Sequence, residues 1–232
     1  MNLVIFDVDG TLVQSARIDT DCFVRSLEEL FGIKNINTQW DTYKTATDWN
    51  IFEEIYEKSF SKKPTSKEIN MHIELFTHLL NEYYQKDRNL FQEISGANRL
   101  LAKLRSHDIW KIAIATGGWG KSTLLKIKFA GININDIPFV SASDSRIRED
   151  ILGTCINNSK KHYNADRFDR IVSVGDAMWD VKTAAGLRIG FVGVNVLNEL
   201  KNRIECPVCN DYQNFDAFMK CLESATVPRL DK

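Results

Sequence analysis

Met1-Asn2-Leu3-Val4-Ile5-Phe6-Asp7-Val8-Asp9-Gly10-Thr11 opens the chain, and this stretch decides how the rest is read. Leu3 to Phe6 is a short, wholly apolar run that breaks into acids and a glycine. That pattern suits a buried parallel strand whose carboxyl end opens into a site, so the chemistry is expected to start at Asp7. The next residues differ in kind. From Ala16 to about Phe31 the apolar positions Ile18, Phe23, Leu27, Leu30 and Phe31 recur at helical spacing, and Gly32 acts as a stop. Ile51, Ile55 and Tyr56, then Ile69, Ile73, Phe76, Leu79, Leu80 and Tyr83, continue the same spacing with no strand-like run between them. Residues 15–90 therefore read as an all-helical insertion, and residues 1–14 with 91–232 as the domain it interrupts.

Beyond Gly96 the pattern alternates. A helix at 97–106 precedes a strand at 111–116, and a helix near 121–130 precedes a short strand at 139–141. A helix at 148–163, a strand at 170–174, a helix at 180–186, a strand at 190–194 and a terminal helix after Asn214 complete the series. Such alternation specifies an α/β fold with a doubly wound, Rossmann-like parallel sheet, and ligands of such sheets bind at the carboxyl ends of the strands.

Composition sets the outer bounds. The 232 residues are 44% apolar and 26% charged, which is ordinary for a globular chain able to build its own core. A formal net charge of −1 gives no overall attraction to nucleic acid or an anionic membrane, so a small molecule is the expected partner. The first apolar run is too short for a signal or a membrane span. Together with five cysteines, an odd number, this suggests reduced thiols and a cytoplasmic protein, as a monomer or homodimer. Cys206-Pro207-Val208-Cys209 has metal-ligand spacing, but a zinc site needs a second pair and only Cys221 lies near in sequence. The histidines at 72, 78, 107 and 162 fall on expected helices without acids at ligand spacing and receive no role.

Four segments, each following an expected strand, hold the candidate site: Asp7-Val8-Asp9-Gly10-Thr11, Ala115-Thr116-Gly117-Gly118, Arg146 to Asp150, and Gly175-Asp176-Ala177-Met178-Trp179-Asp180. In this order the first, second and fourth resemble the motifs of the haloacid dehalogenase (HAD) superfamily, in its phosphoglycolate phosphatase and β-phosphoglucomutase-like branch. The resemblance covers nearly the whole chain, because 15–90 falls where that family often inserts a helical cap. It implies a magnesium-dependent phosphohydrolase acting on a small phosphorylated metabolite through an aspartyl phosphate. Asp7 would be the nucleophile, already ionised at neutral pH. Asp9 would protonate the leaving oxygen and later deprotonate water. By the same resemblance Asp7, the backbone carbonyl of Asp9, and Asp176 would hold Mg2+, with Asp180 orienting its water shell. Thr116, Gly117 and Gly118 would bind the phosphate at a helix N-terminus. The family's third motif, commonly Lys-Pro, is absent; Arg148 is favoured as the phosphate-binding cation over Arg146.

Other readings stay open on the residues alone. A phosphosugar mutase would use the same Asp7 and Asp9. A dehalogenase fits less well, since that branch typically lacks the second acid. Ala115 to Ser122 reads A-T-G-G-W-G-K-S, a relaxed phosphate-loop pattern that would instead belong to a nucleotide-binding ATPase or kinase. Thr47-Asp48-Trp49 could face the site or simply cap a helix, and Trp179 reads most simply as packing under its loop.

Overall fold

The computed structural model describes residues 1–197, 201 and 204–230. Its centre is a six-stranded parallel sheet. The strands are β1 (Asn2–Phe6), β2 (Trp110–Ala115), β3 (Phe139–Val140), β4 (Arg170–Gly175), β5 (Gly190–Val194) and β6 (Val208–Cys209), in the order β3-β2-β1-β4-β5-β6. β1 lies between β2 and β4, paired along its whole length with both. The strand order therefore reverses at β1, and the crevice at the carboxyl ends of β1 and β4 is where doubly wound sheets bind ligands. The expectation of a doubly wound α/β fold holds, with strand bounds shifted by about a residue.

The position of β1 is explained by its side chains, which are buried on both faces. Leu3 and Ile5 enter one cluster with Ile151, Leu152 and Cys155 of α6 (Arg148–His162) and Val181 and Ala184 of α7 (Met178–Leu187). Val4 and Phe6 point the other way, into a cluster that continues through α4 (Ala97–Arg105), α5 (Gly120–Phe129) and α8 (Phe215–Ser224). Helices thus cover both faces, as near-continuous apolar strands require.

Between β1 and β2 the chain forms α1 (Ala16–Phe31), α2 (Asp48–Phe60) and α3 (Ser66–Lys86), with single 3-10 turns at Trp40–Thr42 and Arg88–Phe91. No strand falls in this stretch, as the helical spacing requires. α2 starts at the Thr47 cap, and α3 at a Thr65/Glu68 capping box. His72 of α3 is fully buried, stacked 4.6 Å from the ring of Phe52 and bonded to Ser26 Oγ at 2.9 Å, and burial pushes its pKa down to about 3. It is a neutral core residue. Among the described residues no helix is long and apolar enough to cross a membrane.

Phe6 is fully buried, with the rings of Tyr212 and Phe218 each 6.0 Å away. Phe6→Ala is expected to cost about 3–5 kcal/mol of stability, from lost transfer energy plus the cavity left behind. Urea denaturation should show the midpoint falling at unchanged slope; a loss under about 1 kcal/mol would mean that this ring does not anchor the central strand.

Candidate active site

β1 delivers Asp7 to the crevice. Its amide donates to Val174 O at 3.0 Å, tying the end of β1 to the end of β4 and so to Asp176 just beyond it. Gly10 sits at φ +77°, and a Cβ there would overlap the Asp176 carboxylate. The acidic loop after β1 can approach the loop after β4 because position 10 has no side chain. Asn195, at the end of β5, donates its side-chain amide to Gly10 O at 3.0 Å and fixes the same turn.

Asp7, Asp176 and Asp180 each place an oxygen within 4.8 Å of the others. The three are not equivalent. Asp180 Oδ1 accepts from Arg148 Nη1 at 2.7 Å and Oδ2 from the Ala177 amide at 3.2 Å, so both its oxygens are engaged. Asp176 Oδ1 accepts only a longer bond, 3.2 Å, from Thr11 Oγ1. Asp7 Oδ1 is buried and has no hydrogen-bond partner. Burial raises all three pKa values, Asp7 to about 7; repulsion from Asp180 adds to this at Asp7 and Asp176, while Arg148 works against it at Asp180. Two hard, under-coordinated oxygens with an engaged third behind them form a donor set that suits a small divalent cation.

Thr116, Gly117 and Gly118 leave β2 as a turn into α5, beside Asp7. The Gly118 amide donates to Thr116 Oγ1 at 3.1 Å. A Cβ on Gly117 would lie 2.6 Å from Arg148 Nη2 and 2.7 Å from Ala46 O, so only glycine lets the guanidinium pack against this turn. Arg148 is buried, bonded through Nε to Ala46 O at 2.7 Å, with the Trp179 ring 5.5 Å away. Arg146 faces outward instead, stacked 4.3 Å over Trp49 and paired with Glu53. Of the two candidate cations, the structure places Arg148 at the site. Trp179 lines the cavity as well.

Asp9 accepts from Ser15 Oγ at 2.5 Å on Oδ1 and from Lys126 Nζ at 2.6 Å on Oδ2. Lys126 is fully buried and also bonds Asp19 of α1. Burial works against its charge, yet Asp19, Asp9 and Asp48 outweigh that cost and hold the ammonium above its ordinary pKa. The sequence alone does not single out this lysine or Asp19. Their only signal is that Lys126 comes a helical turn after Ser122 and Thr123 on the buried face of α5, while Leu124 is exposed.

Thr47-Asp48 does both of the things it could do. Thr47 Oγ1 caps α2 and donates to Arg146 O at 2.8 Å. Asp48 lines the cavity, accepts from the Trp119 amide at 2.7 Å and donates its own amide to Gly117 O at 2.8 Å. The phosphate-loop reading of Ala115 to Ser122 finds no support. Lys121, which would have to reach a nucleotide's phosphates, is exposed and paired with Glu74 of α3, and it does not line the cavity. Cys206 stands apart from Cys209 and Cys221, whose sulfurs approach to 2.9 Å, so the cysteines form no zinc set among the described residues.

A family model described as haloacid dehalogenase-like hydrolase matches residues 4–194, more than half of the chain and all four site segments. The chain belongs to this family of hydrolases. Solved structures with the same fold include a hydrolase from Pseudomonas syringae, with TM-score 0.71 and 20% identity over 95% of this chain and 98% of that one. A Bacteroides vulgatus protein provisionally named a β-phosphoglucomutase has TM-score 0.66 and 18% identity, covering 97% of this chain and 89% of its own. A Haemophilus somnus protein named a predicted phosphoglycolate phosphatase has TM-score 0.61 and 15% identity, covering 94% and 97%. At these identities the likeness is one of fold. No match was found among curated protein sequences.

The acid cluster has a measurable consequence. A carboxyl whose pKa is raised in the folded state binds more protons folded than unfolded between the two values, so rising pH destabilises the fold across that window. For Asp7 the window runs from 3.8 up to about 7, and Asp176 lies well above its ordinary value. In excess chelator, Asp176→Asn should therefore melt higher than the unmutated hydrolase, and by a larger margin near about pH 8 than near about pH 5. Taking the difference cancels groups such as His72 that titrate in both proteins. Equal margins at the two pH values would show that the cluster carries no such repulsion.

Proposed function

We propose that this hydrolase is a phosphohydrolase that transfers a phosphoryl group from a small phosphate monoester to Asp7 and then to water. The reading is carried by the buried, unpartnered Oδ1 of Asp7, which lines the same cavity as Arg148 and the Thr116–Gly118 turn. A carboxylate oxygen without a partner is an available nucleophile, and a guanidinium with a hydroxyl and amides beside it suits the equatorial oxygens of a phosphoryl group.

In this reading Asp7 attacks phosphorus, and the bond to the leaving oxygen breaks. Thr116, the amides of the turn and Arg148 hold the transferring oxygens. Asp9 gives the leaving oxygen its proton and later takes one from the attacking water. Ser15 is well placed to make that exchange, since its hydroxyl can rotate from Asp9 Oδ1 to Val13 O, already 3.3 Å away. Mg2+ would be held by Asp7, Asp176 and the Asp9 carbonyl, with Asp180 behind, and when bound would offset the charge of the acids and the phosphate. Helices α1–α3 would serve as a cap that excludes bulk water.

Hydrolysis is favoured over phosphosugar mutation by the charges at the cavity. A bisphosphorylated intermediate needs a second anion site. Among the described residues the cations at the cavity are Arg148 and, beneath it, Lys126, and each is already paired with carboxylates. The five unbridged cysteines are in keeping with action in the cytoplasm.

With p-nitrophenyl phosphate and magnesium, Asp7→Asn should fall to background and Asp9→Asn should lose about 10²–10⁴-fold. Intact mass should then show Asp9→Asn carrying one added phosphoryl group, because nitrophenolate leaves without a proton while the attack of water still needs Asp9 as base. Full turnover in excess chelator would remove the magnesium assignment, and phosphorylation of Asp7→Asn would remove Asp7 as nucleophile.

A further inference from the structure

The cavity has two ends. Asp7, Thr116, Gly117 and Arg148 make the phosphate end, and the segment between β1 and β2 supplies the other wall. Phe23, Trp40 and Ile51 give that wall its apolar surface, and Asp19, Thr20 and Asp48 its polar groups. The space is about 130 Å³. Drug-sized ligands occupy roughly 300–1,000 Å³, so little more than a phosphoryl group and a few further atoms fits.

The charge of this wall is one-sided. Lys126 lies under it, but its ammonium is fully buried and already shared by Asp9 and Asp19. Arg148 belongs to the phosphate end, where Asp180 and Ala46 O hold it. Asp48 uses Oδ2 for the Trp119 amide and lines the same cavity as Asp19, close enough for the two acids to repel. A leaving group carrying a carboxylate or second phosphate would meet acids and aromatic rings, with no cation among the residues that line this wall to receive it. A group bearing N–H or O–H would meet acceptors.

Building on the phosphohydrolase reading, we propose that Asp19 and Asp48 select a small, non-anionic leaving group that presents hydrogen-bond donors, an ammonium or hydroxyls. The electrostatic state of the wall agrees with this. Burial, and then the neighbouring acids, raise Asp19 to about 6 and Asp48 to about 8, a field that a bound ammonium relieves and a bound anion worsens.

The test compares three esters of similar size, O-phosphoethanolamine, glycerol 1-phosphate and 2-phosphoglycolate, with p-nitrophenyl phosphate as a control for the chemistry. The better of the first two should exceed 2-phosphoglycolate in kcat/KM by at least about tenfold, and which of them leads tells ammonium from hydroxyl recognition. Asp48→Asn keeps an acceptor for the Trp119 amide and removes only the charge, which Asp48 carries above its raised pKa of about 8, so the comparison is made at about pH 9. It should shrink that ratio by about tenfold, mainly through KM of the donor-bearing ester. The ratio is taken within one preparation, so it does not depend on how much activity remains. Should Asp48→Asn fail to fold, Asp19→Asn, which keeps an acceptor for Lys126, gives the same reading. If 2-phosphoglycolate is the best of the three, or if both variants leave the ratio unchanged, the proposal is overturned while turnover of the aryl phosphate still upholds the phosphohydrolase reading. No turnover of any ester, the aryl phosphate included, overturns both.

Discussion

Crowding of carboxylates governs this structure more than any other interaction. Asp7, Asp176 and Asp180 bring oxygens within 4.8 Å of one another at the switch point of the sheet, and Asp9, Asp19 and Asp48 line or flank the same cavity. Left alone, such a set would be driven apart or neutralised by protons. Two buried cations oppose this, each from a different side. Arg148 reaches from the start of α6 to Asp180, and Lys126 from the middle of α5 to Asp9 and Asp19. The helices that carry them pack on opposite faces of the sheet, so the fold holds the acids from both directions.

Much of this was legible in the sequence. Apolar runs that end in Asp7, Ala115 and Gly175 marked the central strands, because a strand buried on both faces admits almost nothing but apolar side chains. The acids of the first and last motifs could be placed because the ends of adjacent parallel strands must lie side by side. Arg148 over Arg146 rested on its position at the helix start. Partners far apart in the chain could not be read. Lys126 sits among Leu124, Leu125, Ile127 and Lys128, where a lysine ordinarily belongs to the solvated face, and only the arrival of Asp19 from α1 makes burial of its charge tolerable. β6 is a two-residue strand in a cysteine-bearing segment whose spacing suggested a metal instead. The phosphate-loop pattern stayed open as an alternative for a related reason: spacing alone does not say which way a lysine points.

The loop before α2 shows how the helical segment is joined to the sheet. Ala46 O accepts from Arg148, Thr47 Oγ1 donates to Arg146 O, and Asp48 exchanges bonds with Gly117 O and the Trp119 amide. Three consecutive residues thus contact both the turn after β2 and the segment that begins α6. Each such bond is worth only about 0.5–1.5 kcal/mol net, somewhat more where a charge takes part. The junction is firm enough to define one arrangement, and under the proposed reading, in which the helices cap the site, bonds of this size would let it part during turnover.

Lys126 gives this junction a chemical meaning. One ammonium is shared by Asp9, on the loop after β1, and Asp19, on α1; in the proposed reading these two handle the leaving group's proton and the leaving group itself. Any displacement of α1 moves Asp19 relative to Lys126 and changes the field at Asp9. Recognition of the leaving group and handling of its proton then rest on one electrostatic unit and do not vary independently. A substrate that leaves Asp19 badly solvated would also leave Asp9 badly held, so a poor fit at the wall should appear in the chemical step and not in binding alone. In a cavity this small, that coupling is a means of discrimination that contacts with a few apolar atoms could not supply.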